Sequence, residues 1–127
     1  KLMMDAGVIT ITAFISPFIE DRNNARKLFS QGEFFEIFCD ASLKICESRD
    51  VKGLYKLARD GKIKNYTGID SPYEVPVNPE LVINTESDSI EESTKKILNF
   101  LIDKQIIIES VIYPSPRVFE IIKSKNN

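Results

Sequence analysis

The stretch LVINTESDSIEESTKKILNFLID, residues 81–103, joins a short apolar run to an amphipathic pattern of helical period. The apolar start, residues 81–84, predicts a β-strand. Ser89 and Glu92 stand three positions apart, the spacing of a capping box, which predicts that a helix begins just after Ser89. Five apolar residues then fall mostly on one helical face. They are Ile90, Ile97, Leu98, Leu101 and Ile102.

The alternation of strands and helices extends back toward the start of the chain. Residues 8–14 (VITITAF) are almost continuously apolar, which predicts a strand covered on both faces, and residues 34–39 predict another strand. The predicted helices are 20–29, 40–48 and 54–59. Strands that alternate with helices pair in parallel. The sequence therefore predicts an α/β fold, and we expect only part of a three-layer domain because three strands are too few for a doubly wound sheet.

Composition narrows the possible functions. The chain has 127 residues, 43% hydrophobic and 28% charged, with a formal net charge of -2. This charge provides no broad basic field for nucleic acid, and no apolar run reaches the roughly 18 residues of a membrane span. The chain has no histidine and only two cysteines, Cys39 and Cys46. Histidine-based nucleophilic catalysis, a disulfide framework and a zinc site are therefore not expected.

Residues 62–79 hold one glycine and three prolines and predict a long loop, a feature that is more often functional than accidental. None of the five glycines stands in the Gly-x-x-x-x-Gly-Lys spacing of a phosphate loop. Composition and periodicity alone leave the function of this α/β domain open.

Four motifs, in the same order along the chain, narrow the function, because they resemble those of adenylylsulfate (APS) kinases. They are TAFISPF at 12–18, ICESRD at 45–50, KGLYK at 52–56 and IKNYTGID at 63–70. The segment 17–26 looks most like the animal bifunctional PAPS synthases. The resemblance covers residues 1–107 and implies the C-terminal part of a P-loop kinase-like domain. It implies transfer of the ATP γ-phosphoryl to the ribose 3'-hydroxyl of APS, with Mg²⁺ accompanying ATP.

The resemblance also assigns site residues. Ile15 and Ser16 match positions that contact APS, and Lys64, Asn65 and Tyr66 match the segment whose aromatic ring stacks on the APS adenine. The family usually has Phe in place of Tyr66, and the animal enzymes have Gly in place of Asn65. On residue type alone, Ser16 also fits a simple turn after a strand, and Tyr66 fits an aromatic anchor for its loop.

Arg49 and Lys52 match the lid region near ATP, and Asp88 falls near a position that touches the ATP adenine. A guanidinium can stack on adenine, and an ammonium can meet phosphate oxygens. The alternative for Arg49 is a solvent-facing cation at a helix end or a pair with Asp50.

The resemblance places the family's phosphate loop and presumed general base upstream of Lys1. We therefore assign no catalytic residue to this chain and expect these 127 residues alone to be inactive. Residues 108–127 are expected to form a C-terminal tail or an interdomain linker. The family resemblance further implies a homodimer, a fused ATP sulfurylase domain and a cytoplasmic or nuclear location. Two alternatives stay open: a catalytically dead nucleotide-binding or dimerisation module, and a nucleoside monophosphate kinase of related fold.

Overall fold

The computed structural model describes residues 1–108, which fall in two compact units, Lys1–Glu86 and the part from Ser87 onward. The elements of the first unit are α1 (Leu2–Asp5), α2 (Ile19–Arg26), β1 (Ile37–Asp40), α3 (Leu43–Ser48), α4 (Leu54–Arg59) and β2 (Leu81–Asn84). The described part of the second unit holds α5 (Ile90–Asp103). Almost all of the predicted tail or linker, residues 109–127, lies outside the described residues. The predicted boundary at residue 107 stays a prediction.

The two strands of the first unit pair in parallel. Ile37 lies opposite Leu81, and Asp40 lies opposite Asn84 at the other end of the ladder. A parallel pair needs a long crossover, and here it contains α3, α4 and the loop that precedes β2. The predicted parallel pairing is confirmed, and β2 and α4 have the predicted bounds.

The predicted strand at residues 8–14 is wrong. This segment has no regular secondary structure, and Ile11 and Phe14 are 87% and 81% exposed. A strand needs a neighbour for its backbone N–H and C=O groups, and within residues 1–108 the sheet consists of β1 and β2. The composition of residues 8–14 is suited to burial on both faces, but no other described element covers this segment.

The predicted strand 34–39 begins later, at Ile37. The reason lies in the backbone amide of Glu36, which donates to the Glu80 carboxylate at 2.7 Å instead of to a strand. The Glu36 carbonyl accepts from the amide of Leu81 at 3.3 Å. β1 therefore starts at Ile37, directly after the residue whose amide bonds the Glu80 side chain.

Helix ends follow their capping residues. The Ser42 side chain accepts from the amide of Ile45, so α3 starts three residues after the predicted position 40. The α2 helix ends at Arg26, three residues before the predicted end.

The capping box predicted for α5 is confirmed. The Ser89 amide donates to the Glu92 carboxylate at 2.8 Å, and the Glu92 amide donates to the Ser89 hydroxyl at 3.1 Å. Ile90 is 82% exposed, so its predicted place on the apolar face is wrong, since this first residue of the helix projects into solvent. The other four residues of that face are half-buried.

Fully buried apolar residues are few. In the described part of the chain, only Ala58 and Ile83 are buried, at 7% and 1% exposure. Both cysteines are free thiols; Cys39 is exposed and Cys46 is half-buried. None of the helices in residues 1–108 is long and apolar enough to cross a membrane.

Ile83 and Val82 point to opposite faces of β2, and Val82 is 50% exposed. We expect Ile83→Ala to lower the free energy of unfolding by about 2–5 kcal/mol, because it removes packed methyl groups from a closed site. Val82→Ala, the matched control, should cost less than about 1 kcal/mol. Urea unfolding followed by circular dichroism measures both, and equal losses would contradict the assigned core.

Candidate functional site

Polar groups converge at the carboxyl ends of the two strands. The carbonyl of Asp40, the last residue of β1, accepts from the amide and hydroxyl of Thr85 at 2.9 and 3.0 Å. The Arg49 guanidinium donates to the Thr85 carbonyl at 2.7 Å. The amide of Ser42 donates to the Glu86 carboxylate. Arg49 therefore lies at the sheet edge where ligands bind in open α/β sheets.

The alternative pairing of Arg49 with Asp50 is not found. Asp50 instead accepts from the amides of Tyr55 and Lys56, at 3.1 and 3.0 Å, and so caps the first turn of α4. The Lys52 side chain is exposed in the turn between α3 and α4. The turn therefore has a fixed backbone, and its lysine is accessible to an anionic ligand.

The loop at residues 64–70 is held by one carboxylate. Asp70 accepts from the amides of Asn65 and Tyr66 at 2.8 and 2.5 Å. These hydrogen bonds lower the pKa of Asp70 below its ordinary value, the bond from Asn65 contributing most. Asn65 has φ 57, in the left-handed region. The carboxylate thus fixes the loop at its least favourable backbone position.

Gly68 closes the same loop. Its φ is 86, and its amide donates to the Ser71 carbonyl at 2.7 Å. A Cβ at this position would come within 3.2 Å of Leu43 Cδ1. The positive φ favours glycine, and the close approach of α3 gives a second reason for it.

Tyr66 packs edge-on against Tyr55 of α4, with ring centroids 5.0 Å apart and an interplanar angle of 75°. Burial and the neighbouring Cys46 raise the pKa of Tyr55 to about 12, so its hydroxyl stays neutral at physiological pH. Tyr66 is half-buried, and Lys64 is exposed. The loop-anchoring role considered for Tyr66 is therefore present, and its assigned stacking role stays a prediction.

The segment at Ile15 and Ser16 is tied to a distant part of the chain. Ser16 has φ 42, and its carbonyl accepts from the guanidinium of Arg22 at 2.5 Å. The Pro17 carbonyl accepts from the amide of Glu74 at 2.8 Å. Ile15 is 64% exposed. Its side chain is thus open to a ligand, and the backbone beside it is fixed.

Sequence reasoning missed the residues that hold these two segments, namely Arg22 and Asp70. Asp70 ends the motif at 63–70 and Arg22 lies in the segment 17–26, but neither was assigned a role. Asp70 accepts from amides four and five residues before it, whereas an Asx turn joins a carboxylate to the amide two residues after it, so the usual turn signal does not mark this contact. The contact from Arg22 to the Glu74 carbonyl, 2.7 Å long, spans 52 residues and has no local signature.

Asp88 belongs to the second unit. Its carboxylate is paired with Lys96 of α5 at 2.6 Å, and the Asp88 side chain is 14% exposed. The carboxylate is thus occupied, and the assigned contact with ATP stays a prediction.

The sheet edge and its surrounding loops belong to an α/β domain, and the comparisons identify the family. The adenylylsulphate kinase model matches residues 1–84, so the chain belongs to the adenylylsulphate kinase family. The adenylyl-sulfate kinase of Oceanobacillus iheyensis is 60% identical over 107 residues, which are 84% of this chain and 54% of that protein. The adenylyl-sulfate kinase of Staphylococcus carnosus is 51% identical over 107 residues, with the same coverage of each chain.

A solved structure agrees with the sequence relatives. The APS kinase CysC of Mycobacterium tuberculosis, in complex with AMPPNP and APS, is 44% identical with a TM-score of 0.74. The match covers 79% of this chain and 58% of that chain. The predicted α/β P-loop kinase-like fold is thereby confirmed. The chain spans about half the length of the curated relatives it matches.

We expect Asp70→Asn to weaken the protection of the Asn65 and Tyr66 amides, because the variant loses the charge and one of the two acceptor oxygens. Amide hydrogen exchange by NMR would show faster exchange at these two positions. Asp60→Asn is the matched control, since the Asp60 carboxylate is an exposed partner of Lys62 at 3.7 Å. If both variants left the two amides equally protected, Asp70 would not hold the loop.

The same contact predicts a dependence on pH. A carboxyl whose pKa is lowered on folding stabilises the fold above its ordinary pKa of about 4, and the effect is lost as the pH falls through the folded-state value. The amide resonances of Asn65 and Tyr66 should therefore shift together below pH 4 in an NMR titration. Constant resonances down to the acid-unfolding transition would contradict this expectation.

Proposed function

We propose that the protein containing this chain is an adenylylsulfate kinase, which transfers the γ-phosphoryl of ATP to the 3'-hydroxyl of APS. One observation carries the proposal. Both segments assigned to APS contain a non-glycine residue in the left-handed region, Ser16 and Asn65, each fixed by a charged side chain. Strained backbone of this kind persists only where the surroundings over-determine it, and it clusters at ligand sites.

The assigned residues divide the work of binding. The ring of Tyr66 would stack on the APS adenine, Lys64 would offset anionic charge, and Ile15 and Ser16 would contact APS at the end of their segment. Arg49 and Lys52 would meet ATP beside the strand ends. Phosphoryl transfer depends mainly on positioning and on neutralising charge, and these residues supply both.

Proton transfer and metal binding are not assigned to this chain. Within residues 1–108, no group of three or more Cys, Asp or Glu side chains is arranged to hold a metal ion. We propose that Mg²⁺ enters with the ATP phosphates, as is usual for this cation. We also propose a homodimer, a fused ATP sulfurylase domain and a cytoplasmic or nuclear location, each supported by the family resemblance alone.

A chimera tests the function. The matching segment of the Oceanobacillus iheyensis adenylyl-sulfate kinase would be replaced by this chain, and APS-dependent formation of ADP would be measured. We expect activity from the chimera and a KM for APS that rises roughly 5- to 150-fold in Tyr66→Leu, because stacking on a base contributes about 1–3 kcal/mol. Tyr66→Phe, the control, keeps the ring face and should stay within about threefold.

Two outcomes would overturn the assignment. A folded chimera that accepts AMP in preference to APS would indicate a nucleoside monophosphate kinase. A folded chimera that binds nucleotide without turnover would support the catalytically dead module. For the isolated 127-residue chain we propose no turnover, since no residue in it is assigned as the base; ADP formation by the mass-verified chain would contradict this.

A further inference from the structure

The guanidinium of Arg22 joins three separate segments of the first unit. Nη1 donates to the Ser16 carbonyl at 2.5 Å, and Nη2 donates to the Glu74 carbonyl at 2.7 Å. Nε forms an ion pair with Glu36 Oε1 at 2.8 Å. The side chain of Arg22 is only 10% exposed. One planar, five-donor group therefore connects the turn before α2, the residue before β1 and the segment that precedes β2.

The contact to Ser16 falls on strained backbone. Ser16 has φ 42, a conformation that is strained for a non-glycine residue. The carbonyl of Ser16 is aimed at Arg22, and the next carbonyl, that of Pro17, accepts from the amide of Glu74. The same Glu74 uses its carboxylate to accept from the amide of Ile19 at 2.6 Å, the first residue of α2. Three consecutive peptide groups, from Ser16 to Ile19, are thus hydrogen-bonded to Arg22 or Glu74.

Charge balance explains why arginine can occupy this place. A poorly exposed cation needs a partner and satisfied donors, and Glu36, whose side chain is 17% exposed, supplies the opposite charge. Nη1 and Nη2 each donate one hydrogen bond to a neutral carbonyl. The ring of Tyr73 lies 5.9 Å from the guanidinium carbon and adds a cation–π contact. A lysine would keep the charge but could not reach these groups in fixed fork geometry.

We propose that Arg22 is a positioning residue that holds the Ile15–Ser16 segment in the backbone conformation that receives APS. The proposal rests on the proposed function for its ligand, and Arg22 itself does not touch the substrate. Arg22 acts through the carbonyl of Ser16 and through Glu74.

Arg26, one turn further along α2, provides a matched control. Its guanidinium donates to Glu80 at 2.5 and 2.8 Å, and to Glu36 at 3.3 Å. It also lies 4.8 Å from the centroid of the Phe34 ring. Arg22 and Arg26 thus share an ion-pair network, and the contact with the Ser16 carbonyl belongs to Arg22. If these arginines only stabilise the fold, substitution of either one should weaken the protection of the Ser16 segment and the binding of APS. If Arg22 positions that segment, only substitution of Arg22 should do so.

The first measurement needs no ligand. In the 127-residue chain, we expect Arg22→Lys to speed hydrogen exchange at the Glu74 amide at least tenfold, while Arg26→Lys changes it less than threefold. Thermal unfolding of both variants would show whether their global stabilities match. Equal protection of the Glu74 amide in both variants would overturn the proposal whatever the ligand.

The second measurement is calorimetric titration with APS and, separately, with ATP. We expect Arg22→Lys to weaken APS binding roughly 10- to 100-fold, the range for a lost hydrogen bond to a charged group, and to leave ATP binding within about threefold. In a Ser16→Gly background the effect of Arg22→Lys should fall below about threefold, because glycine adopts a positive φ without strain. The same loss in both backgrounds would mean a structural role only.

The two proposals fail separately. If the unmodified chain binds AMP but not APS, the proposed function is wrong, and so is the substrate named for Arg22. If the chain binds APS and Arg22→Lys weakens APS and ATP binding equally, the proposed function stands and the positioning role is wrong.

Discussion

The parallel register of β1 and β2 is the constraint on which the rest of the first unit depends. It brings Asp40 and Asn84 side by side, so that β1 and β2 end at the same edge of the sheet. The amide of Thr85 then donates back to the Asp40 carbonyl, and Arg49, the residue directly after α3, donates to the Thr85 carbonyl. A shift of one residue would turn Ile83, the most buried side chain of the described chain, toward the exposed face.

A second theme is that carboxylates satisfy backbone amides outside the sheet. Asp50 caps α4, Asp70 holds the loop at 64–70, Glu74 caps α2, and Glu86 receives the amide of Ser42. An amide that bonds a carboxylate gains a charge-assisted hydrogen bond, about twice as strong as a neutral one. With so few buried apolar residues, the loops of the first unit depend on such bonds for their conformation.

The sequence predicted what depends on local chemistry. The Ser89–Glu92 capping box and the bounds of β2 and α4 follow from residues a few positions apart, and the structure has them. The strand at 8–14 failed because a strand depends on neighbours that its own residues do not encode. Arg22 was missed for a related reason, since its partners lie as far as Glu74. The family motifs indicated the candidate segments, and long-range contacts determine how those segments are held.

The left-handed conformation of Asn65 also explains one departure from the family pattern. Asn65 stands where the animal enzymes have glycine, and its φ of 57 requires a residue that tolerates this region. Asparagine does so more readily than other non-glycine residues, because its short polar side chain can bond locally. The bond from its amide to Asp70 offsets part of the remaining strain. With asparagine at position 65, the loop therefore keeps a backbone conformation that glycine also adopts. Any change in ligand preference would have to come from the side-chain amide of Asn65 or the hydroxyl of Tyr66.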